Sequence, residues 1–177
     1  MANTTNLGPS YDQMGDAALA DAFRELMSVV ISMRNAGVSF ARVWHSPAFT
    51  YLMTPKHYDR IRTICKKQGW PAPNCRGILI DLIAIAHPLE SRETKDNCTP
   101  AEALEILIKA YSPYSQIGLN KPKNRQGIIF NTGRKVSVGT ANYYALAVVK
   151  LCQAGPRNYL APVTAYHATE AKIRKIS

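Results

Sequence analysis

Leu19, Phe23, Leu26, Met27, Val30 and Met33 recur at three- and four-residue steps and so share one face of a helix that begins near Met14. Gly37 supplies its stop. Thr54 and Pro55 form an N-cap and first-turn pair for a second helix through about Gln68. Tyr58, Ile61, Ile64 and Cys65 point inward there, while Lys56, Arg60 and Lys67 lie on the opposite face. Gly69-Trp70-Pro71-Ala72-Pro73 reads as a rigid connector. Ile78 to Ala86 is apolar except for Asp81, which fits a buried helix or a buried strand; its helical neighbours favour helix. Thr99-Pro100-Ala101-Glu102 has the form of a capping box, starting a helix to Tyr111 with Leu104, Leu107, Ile108 and Tyr111 inward. Ser112-Pro113 ends it.

The pattern then changes, because Gln116 to Gly139 holds four glycines, five basic residues and two short β-branched runs. Ile128 to Phe130 and Arg134 to Val138 read as the arms of a β-hairpin around Asn131-Thr132-Gly133. Two isolated strands are marginal in water, so the hairpin needs support from helices, a third strand or another subunit. Thr140 to Gln153 reads as a helix with Tyr144, Ala147, Val148, Leu151 and Cys152 inward, ended by Gly155-Pro156. A last helix from about Thr164 carries Tyr166, Ile173 and Ile176. The expected fold is therefore mainly helical within the α+β class: five to six helices, one basic hairpin, and residues 14–177 as a single globular domain. Residues 1–13, polar and holding Gly8 and Pro9, are expected to form a flexible arm.

Composition sharpens this in one respect, the placement of charge. The chain of 177 residues has a formal net charge of +10. Residues 1–105 are balanced, whereas residues 106–177 carry eleven Lys and Arg against Glu170 alone. A one-signed field on one part of a fold attracts polyanions and makes their binding salt-dependent, since each neutralised phosphate releases condensed counterion. The longest apolar stretch is far short of the roughly 20 residues that span a bilayer, so no membrane insertion is expected. The N-terminus has no basic region followed by an apolar run, which suggests no secretory leader and a reducing, cytoplasmic setting, or a virion if the protein is viral.

Catalytic and metal signatures are sparse. Cys65, Cys75, His87 and Cys98 are ten to twelve residues apart, without the close ligand pairs that pre-form zinc sites, so no metal and no cofactor is expected. Ala110-Tyr111-Ser112-Pro113-Tyr114-Ser115 resembles a helix-ending turn near the start of cytidine deaminases. That family's zinc chemistry needs a His or Cys with a neighbouring Glu and a later Pro-Cys-x-x-Cys. Neither follows, so the resemblance carries no site over. There is no nucleophile elbow, Walker loop or dinucleotide-binding glycine pattern. His45, His57, His87 and His167, with a Lys for phosphate, leave a small metal-independent RNA-processing nuclease as the alternative reading. His87, before Pro88, is expected to sit at a helix C-terminus as a dipole partner.

The favoured reading is non-enzymatic binding of single-stranded RNA or DNA, RNA first, without sequence preference. Lys121, Lys123 and Arg125 form a Pro-stiffened basic strip leading into the hairpin, whose far strand adds Arg134 and Lys135. Lys150 and Arg157 extend the charge, and Tyr114, Tyr143 and Tyr159 are the expected base-stacking rings. Tyr111, Tyr144 and Tyr166 are assigned to inward helix faces. Arm, helical body and basic ribbon together suggest self-association into a homo-oligomer, as in a small viral coat or nucleocapsid protein.

Overall fold

The computed structural model describes residues 16–38, 47–120 and 126–176. The expected arm, residues 1–13, and the basic strip Lys121, Lys123 and Arg125 lie outside them. The elements run α1 (Asp16–Asn35), β1 (Pro47–Leu52), α2 (Pro55–Gln68), β2 (Gly77–Asp81), α3 (Ile83–Asp96), α4 (Pro100–Ala110), β3 (Gln116–Leu119), β4 (Gly127–Val138), β5 (Ala141–Ala154), β6 (Arg157–Ala168) and α5 (Glu170–Ile176). β1 and β2 form an antiparallel pair, and β3-β4-β5-β6 an antiparallel sheet in chain order. This is an α+β fold with an extensive sheet, and it overturns the expectation of a mainly helical domain.

The helices α1, α2 and α4 form where capping and periodicity place them. Thr54 Oγ1 accepts from the His57 N–H, Pro55 opens α2, and Gly69 closes it at φ +71°, a left-handed conformation that suits glycine. Thr99 and Glu102 exchange both bonds of the capping box at the start of α4. The other Glu102 oxygen accepts from the Gly139 N–H at 2.6 Å, fixing the β4–β5 turn to the head of α4.

Five readings are corrected. Ile78 to Ala86 is two elements, because Asp81 ends β2 and its carboxylate accepts from the Ala84 N–H at 2.9 Å, starting α3. His87 consequently stands in the second turn of α3, exposed, rather than at a helix end. The proposed hairpin loop at Asn131-Thr132-Gly133 lies inside one strand: β4 passes through it with a register shift between Asn131 and Lys135, and the chain turns at Gly139, φ +63°. Thr140 to Gln153, expected as a helix, is the central strand β5. Both faces of β5 are covered along Ala145–Val149, so its apolar residues run consecutively and satisfy a helical period by accident. The β-branched and aromatic content of Tyr143-Tyr144 and Val148-Val149 agrees with strand. The last helix starts later than expected, since β6 continues to Ala168 and only then gives way to α5.

The main core lies between the inner face of the four-stranded sheet and the layer of α1 to α4 with the β1–β2 pair. Phe130 on β4 is fully buried and meets Tyr51 of β1, Tyr111 after α4 and His57 of α2, with ring centres 5.5 to 6.1 Å apart. Phe23 of α1 joins this cluster edge-on to Phe49 and stacked on Tyr111. Ala145, Ala147 and Val149 complete the inner face, and their small size lets α4 lie close across the sheet.

Candidate nucleic-acid interface

Side chains alternate between the two faces of a strand, and directly paired residues share a face. Tyr144, Leu146, Val148, Lys150 and Cys152 of β5 therefore face outward, opposite the core side. Lys135 pairs with Tyr144, Leu146 with Tyr166, Lys150 with Ala161, Cys152 with Tyr159, and Ala154 with Arg157. The outer face thus carries Lys135 and Tyr144 at one end, Tyr166 next to them at the level of Leu146, and Lys150, Tyr159 and Arg157 toward the other end. From Tyr144 to Ala154 the strand rises about 33 Å.

The cations are already seated on the rings. Lys135 Nζ lies 5.9 Å from the centre of the Tyr144 ring, Arg157 Cζ 5.5 Å from Tyr159, and Lys172 Nζ of α5 4.6 Å from Tyr166. Arg92 of α3 approaches Tyr166 as well, at 5.9 Å. None of Lys135, Lys150, Arg157 and Lys172 forms a salt bridge among the described residues. Beneath Tyr166 and Ile173 of α5, the centre of this face holds a small second core of Ile129, Leu146, Val148 and Ala168. Burial pushes the Tyr166 phenol up, against the opposing pull of Arg92, so it is neutral at physiological pH and acts as a ring and a hydrogen-bonding group.

Of the sequence-derived candidates, Lys135, Lys150, Arg157 and Tyr159 are brought together on this face. Arg134 is part of β4, and Tyr114 stands well exposed in the turn after α4, on no strand of the sheet. Tyr143, expected as a stacking ring, instead turns to the core side and meets His167 edge-on, ring centres 4.7 Å apart. Tyr144 and Tyr166, assigned to inward helix faces, instead join Tyr159 on the outer face. The exchange follows from geometry: adjacent residues are about 100° apart on a helix but on opposite faces of a strand. Cys152, assigned inward on the same supposed helix, likewise faces outward.

His45 lies outside the described residues, and the histidines among the described residues do not converge. His57 is buried under Phe130, and its Nε2–H donates to the Ser115 carbonyl at 2.6 Å. Burial lowers its pKa, partly opposed by that carbonyl and reinforced by Lys56. His167 is on β6, two strands from β4 and so about 10 Å further across the sheet. Its pKa is also lowered by burial, with Asp96 pulling the other way. Among the described residues, no group of three or more His, Cys, Asp or Glu side chains is placed to hold a metal ion, and no helix is long and apolar enough to cross a membrane. No family model, no curated protein and no solved structure matches the chain.

Proposed function

We propose that the chain binds single-stranded nucleic acid, RNA in the first place, along the outer face of the four-stranded sheet and without reading its sequence. The observation that carries this reading is the alternation of rings and cations on that one face: Lys135 with Tyr144, Lys172 with Tyr166, and Arg157 with Tyr159, with Lys150 between them. Cations follow a phosphate backbone, while every base has a face that stacks on a ring, which makes such a surface tolerant of sequence. The reading includes self-association along the bound strand, as in a small coat or nucleocapsid protein. It is supported by β3, a four-residue strand at the end of the sheet where a neighbouring copy can pair.

The test is fluorescence anisotropy with a labelled uridine oligomer over a salt series, using the wild-type chain and the Lys150→Ala/Arg157→Ala double variant. Affinity is expected to fall with salt. The log–log slope is expected to be about 1.4 units smaller in the variant, about 0.7 for each lost contact. No binding at low salt, or an unchanged slope in the variant, would overturn the assignment. Light scattering with absorbance at 260 and 280 nm on the same samples reads self-association, expected as assemblies that carry nucleic acid and dissociate in high salt. A nucleic-acid-bound species that stays monomeric at every protein concentration would remove the coat reading and leave the binding one.

A further inference from the structure

We propose that a groove between α2 and the connector after it is a second, separate binding site, which takes one nucleotide unit. Its walls are Asp59, Arg62, Thr63 and Lys66, which share one face of α2, and Trp70 and Ala72 of the returning chain. The groove has a volume of about 560 Å³, within the range of small-molecule sites, roughly 300 to 1,000 Å³.

The groove is a product of how α2 ends. Gly69 turns the chain back in the left-handed conformation, and the Trp70 N–H donates to the Cys65 carbonyl at 2.9 Å, holding the indole beside the last turn. Tyr58 then donates its hydroxyl to the Pro73 carbonyl at 2.8 Å, fastening the far end of the connector to the first turns of α2. The prolines at 71 and 73 stiffen the span between these two attachments. Trp70 is thus a positioned ring beside a helix face, half-buried rather than loose.

Three chemistries meet there. Arg62 and Lys66 are one helical turn apart and exposed, and neither forms a salt bridge among the described residues. The Arg62 guanidinium rests 5.5 Å from the centre of the Tyr58 ring, which orients its donors for a bidentate acceptor such as phosphate. Trp70 offers an aromatic face and an indole N–H. Asp59, on the same wall, repels a ligand that is anionic throughout, and accepts from an amine or hydroxyl. A phosphate joined to a planar base and a sugar satisfies all three; an isolated oxyanion satisfies one. α2 packs on the core side of the sheet, so this groove belongs to the opposite layer from the strand path on the outer face. Its success or failure does not depend on that path.

The same unit can arrive free or as the phosphorylated end of a strand, and the experiment separates the two. Equilibrium dialysis with labelled AMP is carried out on the wild-type chain, on Arg62→Ala/Lys66→Ala and on Trp70→Ala, each checked for folding by circular dichroism. Saturable AMP binding is expected, weakened at least about fivefold in either variant, while Lys150→Ala/Arg157→Ala binds AMP unchanged. Adenosine is expected to compete at least about tenfold less well than AMP. Displacement by a 5′-phosphorylated oligoadenylate at lower concentration than unlabelled AMP assigns the unit to a strand end; displacement only by AMP assigns it to a free nucleotide. Absence of saturable AMP binding, or undiminished binding by the folded Arg62→Ala/Lys66→Ala variant, would overturn the site. So would inorganic phosphate competing as well as AMP, since the groove would then hold an anion only. If Trp70→Ala does not fold, the charge variant, altered only at exposed positions, still decides.

Discussion

The two faces of the four-stranded sheet are made by the same strands and are opposite in character. The inner face buries Ile128, Phe130, Ala145, Ala147 and Val149 against four helices and the β1–β2 pair, with Phe130 packed against other rings and the buried His57. The outer face keeps its apolar residues in the middle, under Tyr166 and Ile173, and carries rings with cations on them toward both ends. A ring closed in by other rings stabilises the fold; a half-exposed ring under a cation retains a surface that a base can use. The difference is set by single steps along β5, where Tyr143 faces the core and Tyr144 faces out.

The largest effect that sharpens this contrast is on the inner face. Phe130→Ala removes a fully buried ring from the centre of the aromatic cluster and is expected to destabilise the fold by about 3–5 kcal/mol, read from the denaturant midpoint. A loss below about 1 kcal/mol would mean that the inner face is not the main core. On the outer face, Tyr159→Ala is expected to weaken oligonucleotide binding by about 1–3 kcal/mol, while Tyr159→Phe keeps most of it because stacking needs the ring and not the hydroxyl. Its denaturant midpoint should move far less than that of Phe130→Ala. Equal loss of affinity in both variants would assign Tyr159 a hydrogen-bonding role instead.

A smaller effect tests how the two faces are held in register at their shared end. Thr99→Ala deletes the side chain that caps α4, at a typical cost of about 1 kcal/mol. It also loosens the first turn of α4, which positions Glu102; the two oxygens of that carboxylate accept from the backbone amides of Thr99 and Gly139, and these bonds hold it below the usual carboxylate range. Hydrogen exchange at Gly139 is expected to quicken in Thr99→Ala beyond what the global loss explains. Protection at Gly139 that tracks global stability alone would show the turn to be held by the sheet.

What the sequence made legible follows from which physical signals are local. Caps at Thr54 and Thr99 depend on residues within four positions, and the helices after them form where expected. The sheet depends on partners far along the chain. β5 pairs with β4 on one side and β6 on the other, and its covering on both faces erased the alternation that marks a strand. The candidate site suffered the same loss: its cations were visible as charge, but the rings could not be sorted without knowing the face, so Tyr143 stood where Tyr144 and Tyr166 belong. The α2 groove was invisible for another reason. Arg62, Lys66 and Trp70 are an ordinary helix face and connector until the Tyr58–Pro73 and Trp70–Cys65 bonds bring them together.

The finest test of the inner face is its response to acid. His57 is buried beneath Phe130, and burial lowers its pKa below the usual 6.5. In the unfolded chain the imidazole takes up its proton near 6.5, whereas in the native state it stays neutral to lower pH; the unfolded state therefore binds more protons in that interval. Stability is full above 6.5 and declines as pH falls toward the native pKa. His167, also lowered by burial, contributes a second decline of the same sign. Between pH 7.5 and 5.5, above the main carboxylate range, the denaturant midpoint of the wild-type chain is expected to fall. In His57→Gln, which retains a donor for the Ser115 carbonyl but cannot be protonated, the fall is expected to be smaller, leaving the share due to His167. An equal fall in both proteins would mean that His57 is solvated in the native state. The ring seen at the centre of the inner face would then have to reach water, and the contrast between the two faces would fail at its most buried point.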